Sequence, residues 1–211
     1  MVKKILLGAL AVAALCVVAM VVVVSMQPDT FQVERSASMA APPDEVFAQV
    51  NDFHKWQAWS PWAKLDPSAK NTFEGPDSGE GAIFRWTGDE QVGEGSITIT
   101  YSHPNEHIGI DLNFIKPFED QAKVDFTFQP KGDQTEVTWA MSGENNFVSK
   151  LMCMFMSMDE MIGTPFEEGL ASIKTIVEAP PSEPATQEGE PATKTESDQP
   201  AGETENTPAA E

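Results

Sequence analysis

The order of patterns between Phe31 and Val177 constrains this chain most. A strand-like run, Phe31 to Ala40, comes first, with Phe31, Val33 and Arg35 on one face. Pro42 and Pro43 stop it. Pro43 suits the first turn of a helix, with Asp44 and Glu45 near its positive end and Val46, Phe47 and Val50 on its buried side. Trp56, Trp59 and Trp62 follow at steps of three, a spacing that puts them on one face of a short helical turn. Pro61 limits how far that turn can run.

From Asn71 the period changes to two. Phe84 and Trp86 share a side and Ile83 opposes them; Ile97, Ile99 and Tyr101 alternate, as do Ile108, Ile110, Leu112 and Phe114. Val124, Phe126 and Phe128 come next, then Val137, Trp139 and Met141. Pro104-Asn105, Lys116-Pro117 and Lys131-Gly132-Asp133 separate these runs as turn signals. Polar residues fill the alternate positions, so the pattern predicts an antiparallel sheet with one wet face. The closing segment keeps helical spacing through Leu151, Met152, Phe155, Met158 and Ile162. Gly163 and Pro165 interrupt it. Thr164, Pro165 and Glu167 read as a fresh N-cap, first-turn proline and capping acid, so two helices, or one kinked near Gly163, are expected. Leu170, Ile173 and Val177 continue the stripe. The predicted fold class is therefore α+β, with a curved antiparallel sheet around a C-terminal helix and a space between them for an apolar guest.

Two segments fall outside that domain. Residues 5–26 carry no charge, and about 20 such residues span the hydrocarbon of a bilayer. Lys3 and Lys4 precede the run and Asp29 follows it. The positive-inside rule then puts the N-terminus in the cytoplasm and the domain on the periplasmic or extracellular side of the cell membrane, single-pass. The alternative is a cleaved signal peptide. The run's length and the lack of a small-x-small site near Ser25 argue against it. Leu15 is too bulky for lipoprotein cleavage before Cys16. Residues 178–211 have nine acids, one Lys and no aromatic residue, and are expected to be a disordered acidic tail. The division is thus 1–28 anchor, 29–177 domain, 178–211 tail. Net charge is −20, a surface that repels phosphate backbones and excludes nucleic-acid binding. The two cysteines, Cys16 and Cys153, lie in segments that cannot pair.

Several stretches resemble one superfamily: Pro43-Asp44-Glu45-Val46-Phe47, Asn51-Asp52-Phe53-His54-Lys55-Trp56 into Trp59-Ser60-Pro61-Trp62, Gly75-Pro76 through Gly79 to Trp86, and Met161-Ile162-Gly163 through Phe166 to Leu170. Over residues 31–177 the chain resembles the START-like, polyketide-cyclase-like superfamily, also called SRPBCC. The resemblance implies a helix-grip fold, a curved sheet gripping a long C-terminal helix. It also implies a cavity for lipids, sterols, hormones or polyketides, with cyclisation or hydrolysis in some members. No catalytic motif matches, so no catalytic residue is carried over.

No chemistry-bearing constellation stands out. His103 and His107 flank a turn, with only Glu106 beside them, too few ligands for zinc. Met152, Met154, Met156, Met158 and Met161 with Cys153 are sulfur-rich, but their spacing scatters them around a helix, and Met is the adaptable filler of apolar cavities. Gly75 to Gly81 is glycine-rich without a Lys and precedes a strand, the wrong context for phosphate. Ser60 has no nucleophile elbow around it. No catalytic residue, metal or cofactor is expected. The expected partners are a hydrophobic small molecule or lipid, and the membrane through the N-terminal helix. The expected lining is Trp59, Trp62, Phe84, Trp86, Phe126, Phe128, Trp139, Met141, Phe155 and Met158, with Arg85 as a polar anchor if its strand twists inward. Two other functions fit the same residues: an interaction domain with a filled core, and a cyclase- or hydrolase-type enzyme acting on a hydrophobic substrate.

Overall fold

A computed structural model describes residues 2–154 and 157–180, with the backbone only at Cys153. Phe155, Met156 and residues 181–211 lie outside the described residues, and with them one expected lining residue and most of the acidic tail. Helix α1, Val2–Ser25, is followed by strand β1, Thr30–Met39, and helix α2, Pro43–Val50. A 3₁₀ turn at Phe53–Lys55 leads into the single-turn helix α3, Trp56–Trp59, and a second 3₁₀ turn covers Trp62–Lys64. Strands β2 (Lys70–Glu74), β3 (Ile83–Thr87), β4 (Glu94–His103), β5 (His107–Lys116), β6 (Asp120–Lys131) and β7 (Gln134–Glu144) follow. Helices α4 (Phe147–Cys153) and α5 (Met158–Val177) complete the described order.

All seven strands form one curved sheet in the order β1-β7-β6-β5-β4-β3-β2, antiparallel throughout. Helices α2 and α5 pack on one face, α5 mainly against β1 and α2 against β6 and β7. That inner face carries the alternate apolar residues, including Val33, Ile99, Ile110, Val124, Phe126, Val137 and Trp139, all buried. The register between β4 and β5 shifts twice, at Glu94/Gly95 and at Ile99/Tyr101. A bulge between Ile99 and Tyr101 turns Tyr101 to the outer face, where it is 46% exposed beside His107, instead of leaving it in line with Ile97 and Ile99. Ser102 takes the inner position, and its hydroxyl donates to Asn51 Oδ1 at 2.7 Å.

The C-terminal helix differs from the expected break at Gly163. It runs unbroken through Gly163 and Pro165, and the interruption falls between α4 and α5. Ser157 is the N-cap: its Oγ accepts from Glu160 N at 3.3 Å, with Asp159 and Glu160 in the first turn. Gly163 and Glu167 have a different task, which Arg35 explains. From β1 the Arg35 guanidinium crosses α5, pairing with Asp159 at 2.8 Å and with Glu167 at 2.6 Å. A Cβ on Gly163 would sit 2.2 Å from Arg35 Nη2, so glycine is what lets the guanidinium lie against the helix.

This pairing sets an acid limit on the grip. Arg35 holds the Asp159 carboxyl below the usual carboxylate range, chiefly through their hydrogen bond. A carboxylate with a lowered folded-state pKa stabilises fully above its unfolded value, about 3.9, and loses that contribution as pH falls through the folded value. The α5–β1 contact is therefore intact at neutral pH and weakens only below about pH 4. Asp159→Asn is expected to lower stability at pH 7 and to change it less at pH 3, which flattens the stability-versus-pH curve between them. A denaturant titration at pH 3 and pH 7 reads the difference, and an unchanged acid dependence in Asp159→Asn would contradict it.

Candidate functional site

The space between the sheet and α5 is occupied by the chain's own rings. Phe166 of α5 stacks on Trp139 of β7 with centroids 4.0 Å apart and planes at 11°. Trp139 stacks in turn on Phe126 of β6 at 4.8 Å. Trp59 meets Trp139 edge-on at 5.6 Å, and Trp62 meets it at 6.0 Å. Two of the indoles from the stepwise Trp series are pinned by their N–H groups: Trp56 Nε1 donates to Val50 O at 2.8 Å and Trp59 Nε1 to Gln49 O at 3.0 Å. Trp139 Nε1 is buried with no hydrogen-bond partner among the described residues. Helix α5 comes so close that a Cβ on Gly169 would lie 2.7 Å from Trp139 Cζ3.

The expected lining residues divide accordingly. Trp59, Phe126, Phe128, Trp139 and Met141 are buried and spend their surface on one another and on α2, α3 and α5. Trp62, Phe84, Trp86 and Met158 are half-buried. Arg85 does not reach the interior: it lies exposed on the outer face, its Nε donating to Glu74 Oε1 at 3.0 Å. The strand does not twist enough to override the alternation that puts Arg85 opposite Phe84 and Trp86. The inward arginine is Arg35, and α5 has already claimed it.

What remains open on the inner face is an aromatic strip over β2–β5. Phe73 lies 5.3 Å from Phe84, Phe84 is 6.0 Å from Trp86, and Trp86 is 6.2 Å from Phe114. Phe73 and Phe114 are 39% and 37% exposed. Gly95 of β4 makes the strip continuous. A Cβ there would come 2.5 Å from Trp86 Cζ2, so its absence lets the indole lie across the strand towards Phe114. Trp86 Nε1 donates to Val92 O at 3.2 Å and fixes that ring, while the His54 ring stacks on Phe73 at 4.1 Å. Phe73, Phe84, Ile97, Leu112, Ala122, Gly143 and Phe31 are successive ladder partners from one sheet edge to the other. An open groove of about 1080 Å³ borders this row at the end where β1 begins, touching Phe31, Leu112, Ala122 and Gly143 among many polar residues. A second, outer-face groove of about 190 Å³ surrounds Gly109, between Tyr101, His107 and Asp125. None of the expected lining residues borders either groove.

Phe73 and Phe114 were not among the expected lining residues. The signal for Phe114 was Gly95, a strand glycine that marks a close approach. Among the described residues no three of His, Cys, Asp and Glu come together as a metal-binding group. His107 Nε2 is 2.8 Å from Asp125 Oδ1, and His103 Nδ1 is 2.9 Å from Glu106 Oε2, each a separate pair.

Residues 30–178 match the family described as polyketide cyclase / dehydrase and lipid transport. The chain belongs to this family. Solved structures agree on the fold. Protein CV1439 from Chromobacterium violaceum is 14% identical with a TM-score of 0.52, covering 73% of this chain and 100% of its own. The Aha1 dimer from Colwellia psychrerythraea is 14% identical with a TM-score of 0.51, covering 70% and 96%. Protein Ms6760 from Mycobacterium smegmatis is 17% identical with a TM-score of 0.50, covering 71% and 92%. No curated protein matches the chain. The superfamily resemblance and the helix-grip fold read from the sequence both hold.

Proposed function

We propose that this chain is a membrane-tethered domain that binds a hydrophobic small molecule or lipid, with residues 1–28 as the tether, 29–177 as the binding domain and 178–211 as an acidic tail. The observation that carries this reading is the half-exposed strip Phe73–Phe84–Trp86–Phe114 on the helix-bearing face. Contiguous aromatic surface is costly to leave in water, and a bound apolar guest gains about 25 cal/mol for each Å² it covers. Phe84 and Trp86 form the wall of the strip, and Ile97, Leu112 and Ala122 adjoin it. Trp59, Phe126, Phe128, Trp139 and Met141 act as its rigid backing, with Trp62 and Met158 at the margin. Lipid transport in the family's description supports the same ligand class. Helix α1 supports the tether: by length and composition it can cross a bilayer, a form that a signal sequence shares.

The test is native mass spectrometry of the full chain taken from membranes. Phe73→Ser with Phe114→Ser removes apolar area from the strip at rings 39% and 37% exposed, so it costs less folding stability than truncating a closed core ring, and a urea titration of the variant confirms that it is folded. Guest occupancy is expected to fall by about tenfold or more, since about 1.4 kcal/mol of lost contact suffices. Unchanged occupancy would overturn the reading. The stack Phe166–Trp139–Phe126 favours a second reading, an interaction domain with a filled core. Wild-type chain that leaves its membrane with no apolar guest would favour that one.

A further inference from the structure

The strands put two apolar prominences at the end of the sheet where α1 enters. Thr30 pairs with Glu144, Gly143 with Ala122, and Asp120 with Phe114. The start of β1, the end of β7 and the β5–β6 turn therefore share one end. Ile115, at the end of β5, is 44% exposed, and Phe118, in the turn, is 64% exposed. Helix α4, which follows β7, carries Phe147, Val148 and Met152 at 53%, 46% and 43%. The described residues leave each of these large apolar side chains about half exposed.

The linker does not let this end swing away from α1. Residues 26–29 can reach no further than about 3.6 Å each. They are also stitched down: Asn145 N donates to Asp29 O at 2.7 Å, Asn145 Nδ2 to Pro28 O at 3.1 Å, and Lys150 pairs with Asp29. Helix α1 touches α4, and Val24 near its end is fully buried. The two lysines on the prominences are neutralised, Lys150 by Asp29 and Lys116 by Glu94. Neither is free to seek an anionic headgroup, and the chain's net charge of −20 opposes one.

We propose that Ile115, Phe118, Phe147, Val148 and Met152 form an apolar rim that seats this end of the domain in the interface of the bilayer that α1 spans. The inference rests on reading α1 as a span. The occupant is the lipid interface because the rim lies within one short, anchored linker of the bilayer and presents apolar side chains without free cations. Seating would also turn the groove beside Phe31 and Leu112 towards lipid.

Spin labels on the full chain test it, in phosphatidylcholine vesicles and with Cys16 and Cys153 replaced by Ala. Phe118→Cys and Val148→Cys report the rim independently, Asn105→Cys reports the opposite end of the sheet, and Val12→Cys reports the middle of α1. Power saturation with oxygen and a nickel chelate reads depth. The expected result is a several-fold higher oxygen-to-nickel ratio at 118 and 148 than at 105. Labels at 118 and 148 as wet as 105, with 12 in lipid, would overturn the rim and leave the span standing. A wet label at 12 would overturn the span and the rim with it.

Discussion

Trp139→Ala is expected to cost about 3–5 kcal/mol of folding stability, the range for removing a large ring from a closed core. Trp139 is 2% exposed and is the hub of the interior: Phe166, Phe126, Trp59 and Trp62 all pack on it, from α5, β6, α3 and the turn after it. These partners sit on four separate elements, so they cannot all close on the space left behind, and the residual cavity adds to the lost burial. A domain with about 5–15 kcal/mol in total would lose a large share of it. A urea titration gives the number. A loss below about 1 kcal/mol, with more guest bound, would mean that Trp139 lines a hollow with spare room rather than holding a core together.

The second large effect is Gly169→Val. The new Cβ meets Trp139 Cζ3 at 2.7 Å and Pro61 Cδ at 3.4 Å, and the branched methyls add to both contacts. The Trp139 ring cannot retreat, because Phe126 stacks on it from its neighbouring strand. Helix α5 must move out instead, which breaks the Phe166–Trp139 stack and strains the Arg35 pairing. Overpacking of this kind costs about 1–3 kcal/mol, or roughly 2–12 °C in melting temperature for a domain of this size. Near-UV circular dichroism should lose its Trp signal at temperatures where the far-UV signal persists. A melting point and near-UV spectrum matching wild type would show that α5 does not bear on the sheet there.

Much of the fold was legible because it is written in short-range periodicity. Alternation at Ile108–Leu112, Val124–Phe128 and Val137–Met141 marks the strands, and Pro43 with Val46, Phe47 and Val50 marks α2. The position of the helix break was not legible from Gly163 and Pro165. Locally they look like breakers, while the reason for Gly163 is Arg35, distant in sequence and brought over by β1. Ser157 followed by Glu160 was the cap signal on offer. The bulge that turns Tyr101 outward has no pattern of its own. The site was legible only in part. Alternation identifies which side chains face inward, and so it found Phe84 and Trp86. Which of the inward side chains stay open depends on where α2, α3 and α5 land. That is a matter of long-range packing, and it closes Trp59, Phe126 and Trp139 while leaving Phe73 and Phe114 half bare.

Photocrosslinking would locate the guest on the chain. The full chain would be reconstituted with a diazirine-bearing fatty acid, irradiated, and mapped by peptide mass spectrometry. Adducts are expected on peptides holding Phe73, Phe84, Trp86 and Phe114, and none on Trp139 or Phe166. Adducts concentrated on β7 and α5 would contradict that placement, because they would put the guest where the structure has stacked rings.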